Sequence, residues 1–289
     1  MFVVTLVGTP HLSADDLAAA SEICGADESV WLAETRAADL FAPRGHAGLR
    51  DRMEAALPHA DVFVQPVAAR ARRLFVADMD STMIQQECID ELASFAGKKA
   101  EIAAVTEAAM RGELDFEAAL RGRVAKLKGL PVGAIRECVS TRIEMTPGAA
   151  TLIATLKAEG IRTCLVSGGF HRFADVIGSR LGFDLVLANR LTVAEDLLTG
   201  DVESPVVDAA AKRALLVSEA RALGADPSQA VAIGDGSNDL MMVEAAGLGV
   251  AYHAKPKLAE AADARIRNGD LTSLLFALGI APERWRDPA

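Results

Sequence analysis

Leu74-Phe75-Val76-Ala77-Asp78-Met79-Asp80-Ser81-Thr82 is the stretch that decides the fold. Leu74 to Ala77 is a short uninterrupted apolar run, as in a parallel strand buried on both faces. It ends in two carboxylates and a hydroxyl pair. In an open α/β sheet, ligands bind beyond the carboxyl ends of the strands. Asp78 and Asp80 are two residues apart on an extended chain and would project to the same side. Two such charges repel unless a cation, a proton or both stand near them. Read without the rest of the chain, the stretch fits equally a strand end with an Asp helix cap and no chemistry.

The 289 residues suffice for one large or two ordinary domains. Hydrophobic residues make up 51% and aromatics only 4%, so the core is built from Ala, Leu and Val. The net charge of -10 argues against nucleic acid or an anionic membrane surface as partner. Cys24, Cys88, Cys138 and Cys164 are scattered, with no Cys-x-x-Cys pair. That argues against a disulfide framework or zinc site and for reduced thiols, and the expected location is cytoplasmic. No apolar run is long enough to span a bilayer, and the apolar N-terminus lacks a basic leader, reading as a strand.

In the N-terminal third, Phe2–Val7 reads as a strand. Ser13 would cap a helix over Asp15–Cys24 with acidic residues in its first turn. Val30–Glu34 is a second strand, His46–Leu57 a helix, and Asp61–Val67 a third strand. This order suits a small ferredoxin-like α/β domain over residues 1–70. Its pattern resembles a truncated ACT domain, the small-molecule sensor attached to many amino-acid enzymes. A docking or dimerisation module without ligand fits it as well. Ala68–Arg73 reads as a short basic linker with solvated arginines.

Beyond Thr82 the pattern turns helical over Ile84–Ala96, Lys98–Arg111, Phe116–Lys128 and Val132–Ser140. This stretch (about 84–146) would form a cap over the end of the first core strand and act as a lid. Glu87, Phe116 and Arg123 lie in it. By residue type alone they read as a solvated Glu, a core Phe and a surface Arg. A helix follows over Ala149–Ala158. The strand Ile161–Val166 then delivers Ser167-Gly168-Gly169. A hydroxyl and two glycines opening a helix make an oxyanion site, although the triplet reads equally as a turn. Leu185–Ala188 is another strand, and Leu191–Val202 a hairpin flap around Thr199-Gly200. Lys212 lies on the helix Asp208–Leu223, where a lysine is usually solvated. The buried strand Ala230–Ile233 ends in Gly234-Asp235-Gly236-Ser237-Asn238-Asp239. These hard oxygen ligands suit Mg²⁺ better than zinc. An EF-hand fits poorly, because the terminal Glu of that loop is missing. Val250–Tyr252 and Ala264–Ile266 read as closing strands, and Asp270–Leu278 as the last helix.

Asp-x-Asp-x-Thr, Ser-Gly-Gly, a helical Lys and Gly-Asp-Gly-x-Asn-Asp therefore occur in order, near strand ends. This set resembles the haloacid dehalogenase superfamily from about residue 72 onward. Within it the chain resembles the phosphoserine phosphatase family, on Asp78 to Thr82 followed by Glu87, Asp115-Phe116-Glu117 with Arg123-Val124, and Ser167 to Phe170. Val207-Asp208-Ala209 leading to Lys212, Gly234 to Asp239, and Ala251-Tyr252-His253-Ala254-Lys255-Pro256 extend the match. The resemblance implies a Rossmann-like parallel-sheet core (71–83 and 147–289) carrying the inserted cap. It also implies hydrolysis of O-phospho-L-serine, the last step of serine biosynthesis, through an aspartyl-phosphate.

In that scheme Asp78 is the nucleophile and Asp80 the general acid and base, its pKa raised by the Asp78 carboxylate. Asp78, the Asp80 main-chain carbonyl and Asp235 hold Mg²⁺, with Asp239 in support. Ser167, Gly168, Gly169 and Lys212 bind the phosphoryl oxygens, and Asn238 binds phosphate or positions its loop. Glu87 takes the substrate ammonium, Arg123 its carboxylate, and Phe116 covers the apolar side. The family and the extra domain suggest a homodimer. A phosphotransferase acting on an alcohol acceptor such as homoserine, a phosphatase for another small phosphomonoester, and a non-catalytic amino-acid sensor stay open as alternatives.

Overall fold

Alternating apolar residues and one well-built helix cap set the first unit. It runs β1 (Phe2–Gly8), α1 (Ala14–Cys24), β2 (Glu28–Ala33), β3 (Ala37–Ala42), α2 (Leu49–Ala56) and β4 (Ala60–Pro66). The computed structural model describes residues 1–43, 45 and 48–287. Ser13 Oγ accepts from the Asp16 amide while the Asp16 carboxylate accepts from the Ser13 amide, so two free helix-end donors are satisfied reciprocally. Gly25 ends α1 at φ 65°, a conformation that favours glycine. β1 pairs antiparallel with both β3 and β4, and β2 lies outside β3. The unit is thus a ferredoxin-like βαββαβ sandwich.

The expected strand order omits β3. Asp39 interrupts its apolar pattern, and its carboxylate is held inside by the rest of the unit. Thr5 Oγ1 donates to Asp39 at 2.7 Å, and both Arg70 terminal nitrogens donate to it at 2.6 Å. The expected start of the second helix at His46 lies outside the described residues; the helix is described from Leu49.

The chain then enters β5 (Leu74–Ala77) and leaves for the cap helices α3 (Cys88–Ser94), α4 (Lys99–Met110), α5 (Phe116–Ala125) and α6 (Gly133–Thr141). It returns through α7 (Ala149–Ala158), β6 (Arg162–Phe170), α8 (His171–Leu181) and β7 (Leu185–Asn189). The hairpin β8 (Leu191–Ala194) and β9 (Leu197–Val202) precedes α9 (Ala209–Ala222) and β10 (Ala230–Gly234). The last elements are α10 (Leu240–Ala245), β11 (Leu248–Tyr252), α11 (Pro256–Ala261), β12 (Ala264–Ile266) and α12 (Ser273–Ala277).

β12, β11, β10, β5, β6 and β7 form a parallel sheet in that order. Helices cover both faces, which explains why Leu74 to Ala77 are all fully buried. β12 also pairs antiparallel with β4 at Arg265 and Val62, so ten strands form one continuous sheet. The Asp61 carboxylate secures this junction by accepting from the amides of Arg267, Asn268 and Gly269 at 2.8 to 3.0 Å. Of the linker arginines, Arg73 is exposed as expected, but Arg70 and Arg72 are not. Arg70 clamps Asp39, and Arg72 donates to the Ser228 carbonyl at 2.6 Å and to Gln65 Oε1 at 3.0 Å. Their charge is used inside the junction.

Two crossings join cap to core, and they are tied to each other. The Thr146 amide donates to the Met83 carbonyl and the Gln85 amide to the Glu144 carbonyl, each at 3.0 Å. The hairpin turns at Glu195-Asp196, both at positive φ, rather than at Thr199-Gly200. It leans on the cap: the Gly129 amide donates to the Leu198 carbonyl at 2.8 Å, and the Leu198 amide to the Leu130 carbonyl at 2.9 Å.

Candidate active site

Parallel register brings the motifs to one end of the sheet. Ala77 lies beside Ile233 on one side and Leu165 on the other, so Asp78, Gly234 and Val166 are the next residues outward. Asp78 and Asp80 leave β5 into a cavity beneath the cap, and both are almost fully buried. Gly168, Gly169 and Asn238 line it from the core, and Glu87, Phe116 and Arg123 from the cap. Neither Glu87 nor Arg123 is the surface residue that its type suggested.

Lys212 is 0% exposed, so its ammonium is part of the site rather than of the helix surface. It donates to Asp78 Oδ1 at 2.5 Å and to Asp239 Oδ1 at 2.7 Å. Burial opposes its charge, yet Asp239 and Asp78 hold its proton above the usual lysine range. The other Asp239 oxygen accepts from the amides of Asp235 and Gly236 at 3.2 and 3.1 Å, which folds the acidic loop around it. Gly234 is required here, because a Cβ would lie 2.4 Å from that carboxylate.

Asp78, Asp235 and Asp239 offer oxygens within 4.8 Å of one another, the one such acidic cluster among the described residues. One ammonium does not balance three carboxylates. Burial, then repulsion from Asp239 and Asp80, pushes Asp78 up to about 7 despite Lys212. Burial raises Asp235 as well, with Glu87, Asp239 and Asp78 adding to it. Asp235 Oδ1 is buried without any hydrogen-bond partner. A buried, unpartnered carboxylate oxygen facing two others fits a hard divalent cation. The Asp80 carboxylate is not in this cluster. Its Oδ1 accepts from the Cys88 amide at 2.8 Å and its Oδ2 from Ser167 Oγ at 3.1 Å.

Asp80 has the raised pKa that a proton donor needs, but the leading cause is burial rather than the Asp78 charge. The Ser167 triplet also differs from expectation. β6 continues irregularly to Phe170 and α8 starts only at His171, so the two glycines finish a strand and do not open a helix. The Gly169 amide donates to Ser167 Oγ at 2.8 Å. Close approach explains both glycines: a Cβ at 169 would lie 2.6 Å from Asp80 Oδ2, and one at 168 would lie 2.7 Å from Phe116 Cζ.

Glu87 receives a hydrogen bond from Ser81 Oγ at 2.7 Å. Burial and the nearby Asp80 push its carboxyl up to about 8. Ser81 reaches it from positive φ, an uncommon backbone for a serine. Sequence reasoning missed the Cys88 amide that orients Asp80, and the apolar wall of Ile89, Met110 and Leu120. An amide leaves no trace in residue type, and apolar residues on helices read as ordinary core.

Fold and site together define a doubly covered parallel α/β core with an inserted helical cap and a buried acidic centre at the strand ends. The chain belongs to the haloacid dehalogenase-like hydrolase family, whose model matches residues 75–244. It is 49% identical over 208 residues to phosphoserine phosphatase of Polaromonas sp., covering 70% of this chain and 88% of that one. It is 46% identical over 228 residues to phosphoserine phosphatase SerB2 of Mycobacterium tuberculosis, covering 78% of this chain and 56% of that one. The chain thus spans about half the length of the mycobacterial relative. Among solved structures, a phospho-aspartyl intermediate analogue of phosphoserine phosphatase superposes with a TM-score of 0.69 at 42% identity, over 71% of this chain and 98% of that one. No helix of the described residues is long and apolar enough to cross a membrane.

Proposed function

We propose that the protein hydrolyses O-phospho-L-serine to L-serine and phosphate through an aspartyl-phosphate on Asp78, with Mg²⁺ as cofactor. The observation that carries this reading is the joining, in one buried cavity, of a strand-end carboxylate pair with Glu87 and Arg123. The first pair supplies phosphoryl-transfer chemistry. The second supplies charges opposite to those of an amino acid. The similarity to phosphoserine phosphatases and to the phospho-aspartyl analogue supports it.

Asp78, Asp235 and Asp239 would hold Mg²⁺, with the Asp80 main-chain carbonyl as a further donor. When bound, the ion neutralises charge so that a carboxylate and a phosphate dianion approach each other. Lys212, held on Asp78 Oδ1 and Asp239 Oδ1, would add a fixed positive charge beside the phosphoryl oxygens. Asp78 Oδ attacks phosphorus and the phosphorus–ester oxygen bond breaks. The departing serine oxygen takes the Asp80 proton. Asp80, now ionised and still oriented by the Cys88 amide, takes a proton from water. That water oxygen attacks the acyl phosphate, which releases phosphate and restores the Asp78 carboxylate.

Ser167, the Gly168 amide and Asn238 would bind the phosphoryl oxygens, joined by the Gly169 amide once it leaves Ser167 Oγ. Asn238 lines the cavity, and its side-chain nitrogen is the group that would donate to a phosphoryl oxygen. Phe116 seats on Gly168 when the lid is down and would exclude water from the first half-reaction. This reading also divides the chain into a small ACT-like domain over 1–70 and the catalytic domain over 71–289. It places the protein in the cytoplasm as a homodimer, a state that sedimentation would read.

The test is phosphate release from L-phosphoserine, with and without Mg²⁺, beside other phosphomonoesters and added alcohols. The expected result is Mg²⁺-dependent preference for phosphoserine with water as acceptor. Equal turnover of all the esters, or transfer to an alcohol, would overturn the substrate assignment.

A further inference from the structure

Thr106 sits where three helices of the lid meet. It is carried by α4 and is 2% exposed. Its Oγ1 lies 2.7 Å from Asp90 Oδ1 on α3, and 3.1 Å from the Ile102 carbonyl one turn back on its own helix. Arg123 Nη1, from α5, donates to the same oxygen at 2.9 Å. Arg123 Nε is directed elsewhere, to the Ala119 carbonyl at 3.2 Å.

The direction of this chain is fixed by chemistry. A guanidinium only donates, so Thr106 accepts from Arg123. The single hydroxyl proton then goes to one of two acceptors, and the Asp90 carboxylate is both the nearer and the charged one. Among the described residues no carboxylate lies within ion-pair distance of Arg123; Glu87 and Asp90 favour its charge from further off, and Asp90 is also linked to it through Thr106. A helical threonine needs only its own carbonyl one turn back. The contacts to α3 and α5 go beyond that. Burying polar groups in a helical lid is costly unless every one is paired. Here the pairing ends on the side chain that faces the cavity.

We propose that Thr106, backed by Asp90, is the positioning residue that aims the Arg123 guanidinium into the cavity and thereby sets selectivity for a phosphomonoester bearing a carboxylate. This rests on the reading of Arg123 as the carboxylate contact. Thr106 touches no reacting atom. It restricts a long side chain whose orientational freedom would otherwise be lost on binding.

The experiment compares wild type, Thr106→Val, Thr106→Ser, Asp90→Asn, Arg123→Ala and the Arg123→Ala/Thr106→Val double variant. Each is assayed with Mg²⁺ on L-phosphoserine and on phosphoethanolamine, which has the ammonium and lacks the carboxylate. Thr106→Val is expected to raise KM for phosphoserine about ten-fold with kcat little changed, and to leave phosphoethanolamine unaffected. Thr106→Ser should restore the wild-type KM, and Thr106→Val should add nothing in the Arg123→Ala background. Should Thr106→Val not fold, Asp90→Asn must show the same selective rise. If Arg123→Ala is selective but Thr106→Val or Asp90→Asn changes both substrates alike or neither, the positioning role is overturned and Arg123 stands. If Arg123→Ala itself is not selective, the Arg123 reading falls and this inference with it.

Discussion

Replacing Glu87 with Gln in the metal-free protein reads out the unbalanced negative charge beneath the lid. Gln keeps the size of the side chain and an oxygen that accepts from Ser81 Oγ, so only the ionisation is removed. The wild-type carboxyl ionises at its ordinary 4.5 in the unfolded chain but is pushed up to about 8 in the folded one by burial and by Asp80. Between those values the folded state holds a proton that the unfolded state has released. Stability from this group is therefore full below pH 4.5 and declines as pH rises toward 8. Linkage puts the loss at about 3 kcal/mol at pH 7. Water reaching the carboxyl through the cavity mouth trims this to about 2 kcal/mol.

The assay is urea unfolding of both proteins in chelator at pH 5, 6, 7 and 8. The variant should exceed the wild type by only about 0.5 kcal/mol at pH 5 and by about 2 kcal/mol at pH 7, with the gap still widening at pH 8. Added Mg²⁺ should narrow the gap. A difference that is constant across this range would refute the reasoning, because it would place the Glu87 carboxylate in an environment that tolerates its charge.

Asp80→Asn would remove the proposed proton donor and acceptor while keeping an oxygen for the Cys88 amide, so kcat should fall by about 10² to 10⁴ in steady-state assays. Gly168→Ala places a methyl 2.7 Å from Phe116 Cζ and props the lid. Its kcat/KM should drop about ten-fold or more, and Phe116→Leu in the same chain should recover part of the loss. Arg70→Ala strands the buried Asp39 carboxylate, which both Arg70 terminal nitrogens hold at 2.6 Å. Urea denaturation should register a loss of about 3 kcal/mol.

The core half of the candidate site was legible because its residues sit at strand ends, where a buried apolar run stops and polar residues begin. Asp78, Ser167 and Asp235 each follow such a run, and the parallel sheet alone brings them together. Lys212 was legible only through the resemblance, since nothing in the sequence of a helix tells a buried lysine from a solvated one. β3 was hidden by Asp39, a charge inside a strand that makes sense only once Thr5 and Arg70 are in place. The joining of β4 to β12 was hidden for a related reason. It is fixed by long-range pairing, with Asp61 accepting three amides from a loop some two hundred residues later. Thr106 and Asp90 carry no pattern of their own, and their relation to Arg123 arises only from the packing of three helices.

The most direct test of the central claim is rapid quenching during turnover of radiolabelled L-phosphoserine, followed by location of the label. The account predicts a hydroxylamine-sensitive acyl phosphate on Asp78, formed and lost at the rate of turnover, and absent from a folded Asp78→Asn protein that has no activity. Label on another residue, or substantial phosphate release by Asp78→Asn, would contradict it.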